Sequence, residues 1–352
     1  MRREEGTSES EADEREQHTA IAAILAAAID SEQARDVWRL IDQAKSILLL
    51  AHERPDPDAL GSALGLAHVL SPLGKECVVA CADPVPANYA FLPGHESVVS
   101  RLPHQHFDLV IALDAGELGR YGALYTRYQS FFDTATILNL DHHVTSSGCG
   151  QVTIIDPASA ATAELLTLLL LNREIAINLD AAKCLLAGII TDTRSFEYDA
   201  TTERTLLAGS YLVGCGAIPE EIIKPYYRVK ALAKARLWGI VLDRSLQSAA
   251  GGSIVWACVR RDYVREAGAT ADMDDGLASY LVDIDGVAFS VIFEEQDATT
   301  TKISIRTSAP HDAAAIAAAF GGGGHLRAAG AVLPMDIEAA VDRVIARIEA
   351  SL

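Results

Sequence analysis

Short apolar runs of strand length recur along the first two hundred residues, and most of them end on acidic side chains. Ile47–Ala51 is continuous in apolar residues, as a strand buried on both faces requires. Val78-Val79-Ala80, Leu109–Leu113 and Thr136–Leu140 read as further strands. Apolar residues at helical spacing predict helices over Glu16–Ala44, Leu60–Leu70, Ala161–Leu171 and Ala181–Ile190. This alternation predicts an α/β domain with a parallel sheet and helices on both faces. The pattern changes near Gly214, where Pro219, Glu220-Glu221 and Lys224-Pro225 form a polar, proline-punctuated stretch, followed by a helix over Tyr227–Gln247. Beyond Gly251, Ser253–Val259, Val287–Glu294 and Lys302–Thr307 alternate as strands of a mixed or antiparallel sheet covered on one face. Asp312–Phe320 reads as an Ala-rich helix leading into four glycines, and Ile337–Ile348 as the last helix. The expected organisation is a disordered acidic tail over 1–18, a parallel-sheet domain over 19–215, a linker and connecting helix over 216–248, and a smaller mixed-sheet domain over 249–352.

Composition narrows the class. The chain has 352 residues, comfortable for two domains, and half of them are apolar. Its formal charge is −19, and the first twenty residues place seven acids against three bases. That tail lacks the basic and apolar regions of a signal peptide, and Ala20–Ile29 is too short to span a bilayer. The six cysteines form no CxxC pair and are expected to be free thiols in a reducing cytoplasm. Gripping long nucleic acid takes many Lys and Arg to release counterions. The acidic balance therefore predicts a small substrate held in a local pocket, with no long duplex and no membrane as partner.

The candidate chemistry sits where the apolar runs end. Asp141-His142-His143 places an acid and two imidazoles at an expected strand tip, where active sites of parallel sheets collect. Leu48–Asp58, Leu109–Asp114 and Leu185–Asp192 end apolar runs in the same way. His52, Asp56 and Asp58 can point into one cleft from a loop stiffened by Pro55 and Pro57; the segment reads otherwise as a solvated acidic turn. Asp114 reads as a ligand or as a helix N-cap, and Asp192 as a ligand or as a cap between two threonines. Together these groups would form a binuclear metal site. A carboxylate-rich set with imidazoles suits Mn²⁺ or Mg²⁺, and no cysteine lies in these loops to indicate structural zinc. Gly61-Ser62 is expected to open a helix whose free N–H groups suit an anion, with Ser62 and Arg120 as substrate contacts. In the second domain, the Gly321–Gly324 run with His325 could bring backbone N–H groups to an anion, and Arg306 offers a fork for phosphate.

HERPDPDALGS, ALDAG, LDHH, GIITDT and FGGGGHLRAAG, in this order and over nearly the whole chain after the tail, resemble the DHH/DHHA1 phosphoesterases. The size and the single DHHA1-like domain look most like the NrnA-type oligoribonucleases, some of which dephosphorylate pAp. The resemblance implies two Mn²⁺ ions, with Mg²⁺ or Co²⁺ able to substitute. His52, Asp56 and Asp114 would hold one; Asp58, Asp114, His142 and Asp192 the other, with Asp114 bridging. It further implies His143 facing the scissile phosphate, Asp141 orienting both imidazoles, and Arg306, Gly322, Gly323, Gly324 and His325 binding the substrate's end. Short RNA oligomers or small nucleotides are the implied substrates, and a homodimer the implied assembly. The DHHA1-like domain would act as a ruler for short oligomers. Family members often read TDTG followed by an aromatic and a base; here Arg194 stands at the glycine and Glu197 follows Phe196, which puts the shape of that turn and the substrate preference in question. Rival readings are a cyclic-di-AMP phosphodiesterase, a family II-like pyrophosphatase or exopolyphosphatase, and an inactive nucleotide sensor.

Overall fold

The computed structural model describes residues 5–352, with side chains outside the description at 5–12, 14, 271 and 325. Its contacts divide the chain into two units, Met1–Val229 and Lys230–Leu352, a boundary inside the stretch expected to be a linker.

In the first unit, five described strands form one parallel sheet: β1 (Ser46–Ala51), β2 (Glu76–Cys81), β3 (Leu109–Leu113), β4 (Ile137–Asp141) and β5 (Val152–Ile155), in the order β2-β1-β3-β4-β5. Sequence reading missed β5, a short half-buried edge strand. The strand order reverses between β1 and β3, so the loops leaving those two strands flank the crevice where open α/β sheets bind ligands. The helices are α1 (Glu5–Ala26), α2 (Ser31–Gln43), α3 (Pro57–Leu70), α4 (Gly122–Arg127), α5 (Gln129–Phe132), α6 (Thr162–Asn172), α7 (Leu179–Asp192), α8 (Glu203–Gly214) and α9 (Pro219–Ile223).

The period of two in β1 explains the layering. Ile47, Leu49 and Ala51 pack into the core shared with α2, α3, α6 and α7. Leu48 and Leu50 face the opposite core, with Tyr121, Leu124, Phe131 and Phe132. Two expectations at the N-terminus change. The predicted helix over 16–44 is two helices, because Asp30 caps α2 by accepting hydrogen bonds from the amides of Glu32 and Gln33. Helix α1 also runs back to Glu5, across residues expected to be disordered. That segment carries five Glu, which favour helix, and its continuation is anchored where His18 stacks on Tyr211 at 4.1 Å.

The second unit contains α10 (Leu232–Ser245), β6 (Gln247–Ala249), β7 (Ile254–Val259), α11 (Arg261–Ala267), α12 (Leu277–Val282), β8 (Phe289–Asp297), β9 (Thr300–Thr307), α13 (Ala313–Ala318), β10 (Gly323–His325), β11 (Ala328–Leu333) and α14 (Ile337–Glu349). Its sheet runs β10-β11-β9-β8-β7-β6, and β7 pairs with β8 in parallel while the other pairs are antiparallel. The expectation of one covered face holds for β9, whose residues alternate between buried and half-buried. It fails for β7 and β8: Phe289, Val291 and Phe293 pack with α13 and α14, while Val255, Ala257 and Ile292 pack with residues of α10 and α12. Among the described residues, no single helix is long and apolar enough to cross a membrane.

Candidate metal centre

The centre gathers side chains from the C-terminal ends of β1, β3 and β4 and from helix termini. His52 leaves β1, and Asp56 follows as the N-cap of α3, accepting from the Ala59 amide at 2.9 Å. Pro57 stands at the first helical position, where its missing N–H costs nothing. Helix α3 thus opens at Pro57 rather than at Gly61-Ser62. Ser62 is fully buried and its hydroxyl donates to Asp58 Oδ1 at 3.4 Å, so it supports Asp58 instead of facing a substrate. Asp58 itself is fully buried. Asp114 follows β3 with φ of 60°, a left-handed conformation that Asp tolerates better than most residues. Asp192 is delivered by the C-terminal end of α7, a helix and not a strand tip.

Three overlapping triads result, each with ligand atoms within 4.8 Å of one another: His52, Asp56 and Asp114; Asp58, His142 and Asp192; and Asp114, His142 and His143. Asp114 links the first two. Its Oδ2 lies 3.5 Å from His52 Nε2, and its Oδ1 3.5 Å from His142 Nε2. The two imidazoles share one arrangement. His52 Nδ1 donates to the Glu53 carbonyl at 2.8 Å, and His142 Nδ1 to the Ser159 carbonyl at 3.2 Å. In both rings Nε2 then faces carboxylates, the orientation typical of metal-binding histidines. His142 Nε2 is buried and has no aligned hydrogen-bond partner, although Asp192 Oδ2 is 3.1 Å away. A buried ring nitrogen turned toward three carboxylates without an aligned hydrogen bond is a donor set that a cation would complete. The set is oxygen-rich with imidazole, which fits hard or borderline divalent ions.

The electrostatics agree. Burial pushes the carboxyl groups of Asp58 and Asp114 up, Asp114 well above its ordinary range, and the neighbouring carboxylates add to both shifts. For His52, burial pulls the imidazole down, but Asp114 and Asp56 outweigh it and lift the pKa to about 10. The metal-free cluster therefore recruits protons to offset charge that divalent cations would offset better.

Asp141 was expected to orient both imidazoles and orients one. Its Oδ1 accepts from His143 Nδ1 at 2.7 Å and from the backbone amides of His142 and His143 at 2.8 and 3.2 Å. That hydrogen bond raises the His143 pKa. His143 is partly exposed at the edge of the cluster. Arg120 is exposed, and its carbonyl accepts from the Glu53 amide at 2.8 Å, pinning the loop that carries His52.

Sequence reading placed the start of α6 at Ala161 but gave its first residues no role at the centre. The amides of Thr162 and Ala163 donate to the two oxygens of Asp58 at 2.7 and 3.0 Å, and the Thr162 hydroxyl donates to Asp114 Oδ1 at 2.9 Å. The signal was present: Thr162 and Glu164 are polar residues opening an otherwise apolar helix. Arg194, Ser195 and Phe196 all adopt left-handed φ of 50°, 62° and 67°, so the turn after Asp192 keeps a glycine-like shape without glycine. Arg194 pairs there with Glu197 at 3.2 Å.

In the second unit a cavity of about 420 Å³ is lined by Lys302, Ser304, Arg306, Gly323, Gly324 and the facing strand β11. The glycines have different reasons. A Cβ on Gly322 would press on the Gly330 carbonyl, and Gly324 has φ of 147° against Ala329, so packing demands both. A Cβ on Gly323 would meet nothing. The side chain of His325 lies outside the described residues.

Residues 46–189 match the DHH family, N-terminal domain, and residues 251–352 match the DHHA1 domain. The bifunctional oligoribonuclease and PAP phosphatase NrnA of Thermus thermophilus is 34% identical over 87% of this chain and 90% of its own length. The protein of the same name from Bacillus subtilis is 29% identical over 89% and 97%. An exopolyphosphatase-related protein from Bacteroides fragilis shares the fold, with a TM-score of 0.83 over 91% of this chain and 96% of that one at 24% identity. With both domains matched in order and a relative above 30% identity along most of its length, the chain belongs to the DHH/DHHA1 phosphoesterases of NrnA type and is a hydrolase of phosphoester bonds.

Proposed function

We propose that the protein hydrolyses short oligoribonucleotides and linear dinucleotides such as pApA to mononucleotides, and removes the 3′ phosphate of pAp, with two Mn²⁺ ions held by the paired triads. The observation that carries this reading is the sharing of Asp114 between two ligand sets, one of them containing a buried imidazole nitrogen without a hydrogen-bond partner. The named activities of the Thermus and Bacillus relatives support the substrate class.

His52, Asp56 and Asp114 would hold one ion, and Asp58, Asp114, His142 and Asp192 the other. Divalent ions there would polarise phosphoryl oxygens and lower the pKa of water. The chain's own groups do the rest. Thr162 and the start of α6 hold the Asp58 and Asp114 carboxylates in one orientation. His143, turned by Asp141, presents its other nitrogen at the partly open edge, placed to hydrogen-bond a phosphoryl oxygen and to protonate the leaving oxygen. In the second unit, Arg306 and the open space at Gly323 take the substrate's terminal phosphate or base.

A substrate panel tests this: pApA, a 5-mer RNA, pAp, cyclic di-AMP, pyrophosphate and long single-stranded DNA, each with Mn²⁺ and with excess chelator. Turnover of the first three, abolished by chelator and restored best by Mn²⁺, is the expected result. Full turnover after dialysis into chelator would overturn the metal reading. Preference for cyclic di-AMP or pyrophosphate, or equal rates on the 5-mer and the long strand, would overturn the substrate assignment.

A further inference from the structure

The two metal-facing histidines differ in what holds their orienting carbonyl. For His52 it is the carbonyl of the adjacent residue, Glu53. For His142 it belongs to Ser159, in the connection between β5 and α6, distant in sequence and not part of any regular element. Something must keep that carbonyl in place.

The connection is held by one guanidinium. Arg204, in the first turn of α8, donates from Nε to Glu164 Oε1 at 2.7 Å, and from Nη2 to Asp156 Oδ2 at 2.9 Å and Ser159 Oγ at 3.0 Å. Asp156 then grips the same connection. Its carboxylate accepts from the Ser159 hydroxyl at 2.8 Å and the Ala158 amide at 3.1 Å, and its carbonyl accepts from the Ser159 amide at 2.9 Å. Glu164, fully buried, accepts from the Ala160 amide at 3.0 Å and the Thr205 hydroxyl at 2.9 Å. Residues 158, 159 and 160 are thus fixed from both sides by carboxylates that Arg204 joins. Two carboxylates in a half-buried to buried setting need a cation, and a planar fork can serve both where an ammonium would serve one.

The geometry points to Arg204 as a positioning residue for the second metal site, acting through the Ser159 carbonyl to hold the His142 ring with Nε2 turned toward Asp58, Asp114 and Asp192. The inference rests on the reading of His142 as a metal ligand. If the carbonyl drifts, Nδ1 loses its acceptor and the ring is free to turn Nε2 away from the carboxylates that complete the site. The carbonyl that orients His52 lies outside this network, so the effect falls mainly on the other ion. Outer groups of this kind typically change metal affinity by about 10–100-fold.

The test uses the full chain in two variants. Arg204→Lys keeps the charge and loses the fork; Glu164→Gln with Arg204→Gln removes both buried charges together. In metal-free protein, imidazole ¹⁵N correlations report the setting of the His142 ring. Calorimetric titration with Mn²⁺ counts ions, with His142→Ala identifying the site that is lost. Both variants are expected to show shifted or broadened His142 ring resonances. In both, the affinity of the His142 site should fall roughly 10–100-fold, while the other ion binds within about twofold of the parent protein. Wild-type ¹⁵N shifts with two unchanged Mn²⁺ affinities would overturn the assignment. So would loss of both ions in equal measure, which is what a merely structural ion pair predicts. If the parent protein bound no Mn²⁺ at all, the metal reading would fall, while the ring resonances would still decide what Arg204 does.

Discussion

The Thr162 hydroxyl donates a 2.9 Å hydrogen bond to Oδ1 of Asp114, the oxygen that faces His142. One short polar side chain at the start of α6 therefore sets the angle of the carboxylate shared by both triads. Thr162→Val keeps the shape and the backbone amide that serves Asp58, and removes only this bond. Mn²⁺ affinity is expected to fall about tenfold, at both sites because Asp114 belongs to both. Calorimetry on the variant checks it; unchanged affinity would show that the hydroxyl orients nothing.

Asp114 combines burial, like-charged neighbours and a left-handed backbone. Asn tolerates the same backbone and fits the same space without the charge. Asp114→Asn is therefore expected to raise the melting temperature of the metal-free protein while lowering activity by about 10³-fold or more, as the shared ligand is lost. In the parent protein Mn²⁺ should raise the melting temperature, since a ligand that binds only the folded state stabilises it; in the variant that rise should shrink. Scanning fluorimetry with and without Mn²⁺ separates the two effects. A variant less stable than its parent without metal would contradict the repulsion argued from the buried carboxylates.

The contact between α3 and α7 depends on glycine. A methyl at Gly188 would press on Asp58 Oδ1 and on the Ala163 side chain. Gly188→Ala should cost about 1–3 kcal/mol and displace Asp58, lowering both the melting temperature and metal affinity. Gly239 in α10 is the control, because a Cβ there meets nothing within 4 Å. Gly239→Ala should stabilise by roughly 0.5–1 kcal/mol through helix propensity alone. Equal responses at the two positions would refute the packing account of Gly188.

What could be read from the sequence follows from how local each cause is. The strands at Ile47 and Leu109 announce themselves because burial on both faces demands unbroken apolar runs. The His52, Asp114 and Asp141-His142-His143 segments are legible because each follows such a run directly. Helix α8 and the Arg204 network were not, because nothing near Arg204 in sequence reveals that Glu164, Asp156 and Ser159 surround it. Ser62 was misassigned for a related reason: its distance from the helix start depends on Pro57 opening the helix, and its burial on how closely Gly61 approaches Cys184 across the α3–α7 contact. The same holds for the two faces of β8, whose covering helices come from both sides of it in the chain.

Asp274 in the second unit gives a pH dependence far in sequence from the triads. Burial raises its carboxyl pKa to about 6, the charge of Glu294 adds to the rise, the Lys302 ammonium opposes it, and Asp275 contributes a further like charge. Lys302 is itself committed to Glu294, with Nζ 2.7 Å from Oε2, so it offsets Asp274 only in part. In the unfolded chain the group titrates near 3.8, its ordinary value. Between those two values the folded unit binds the extra proton, so its stability rises as pH falls toward 4 and is lost as pH climbs through 6. The penalty for an ionised Asp274 above that range is on the order of 3 kcal/mol. Asp274→Asn removes it. The variant should melt higher than the parent at pH 7.5, and the two should converge near pH 4, where the parent carboxyl is largely protonated. Melting curves of both proteins from pH 4 to 8 measure the difference directly, cancelling every other titrating group they share. A gap that stayed constant across that range would mean that Asp274 is ionised throughout, with Lys302 and not the proton holding its charge.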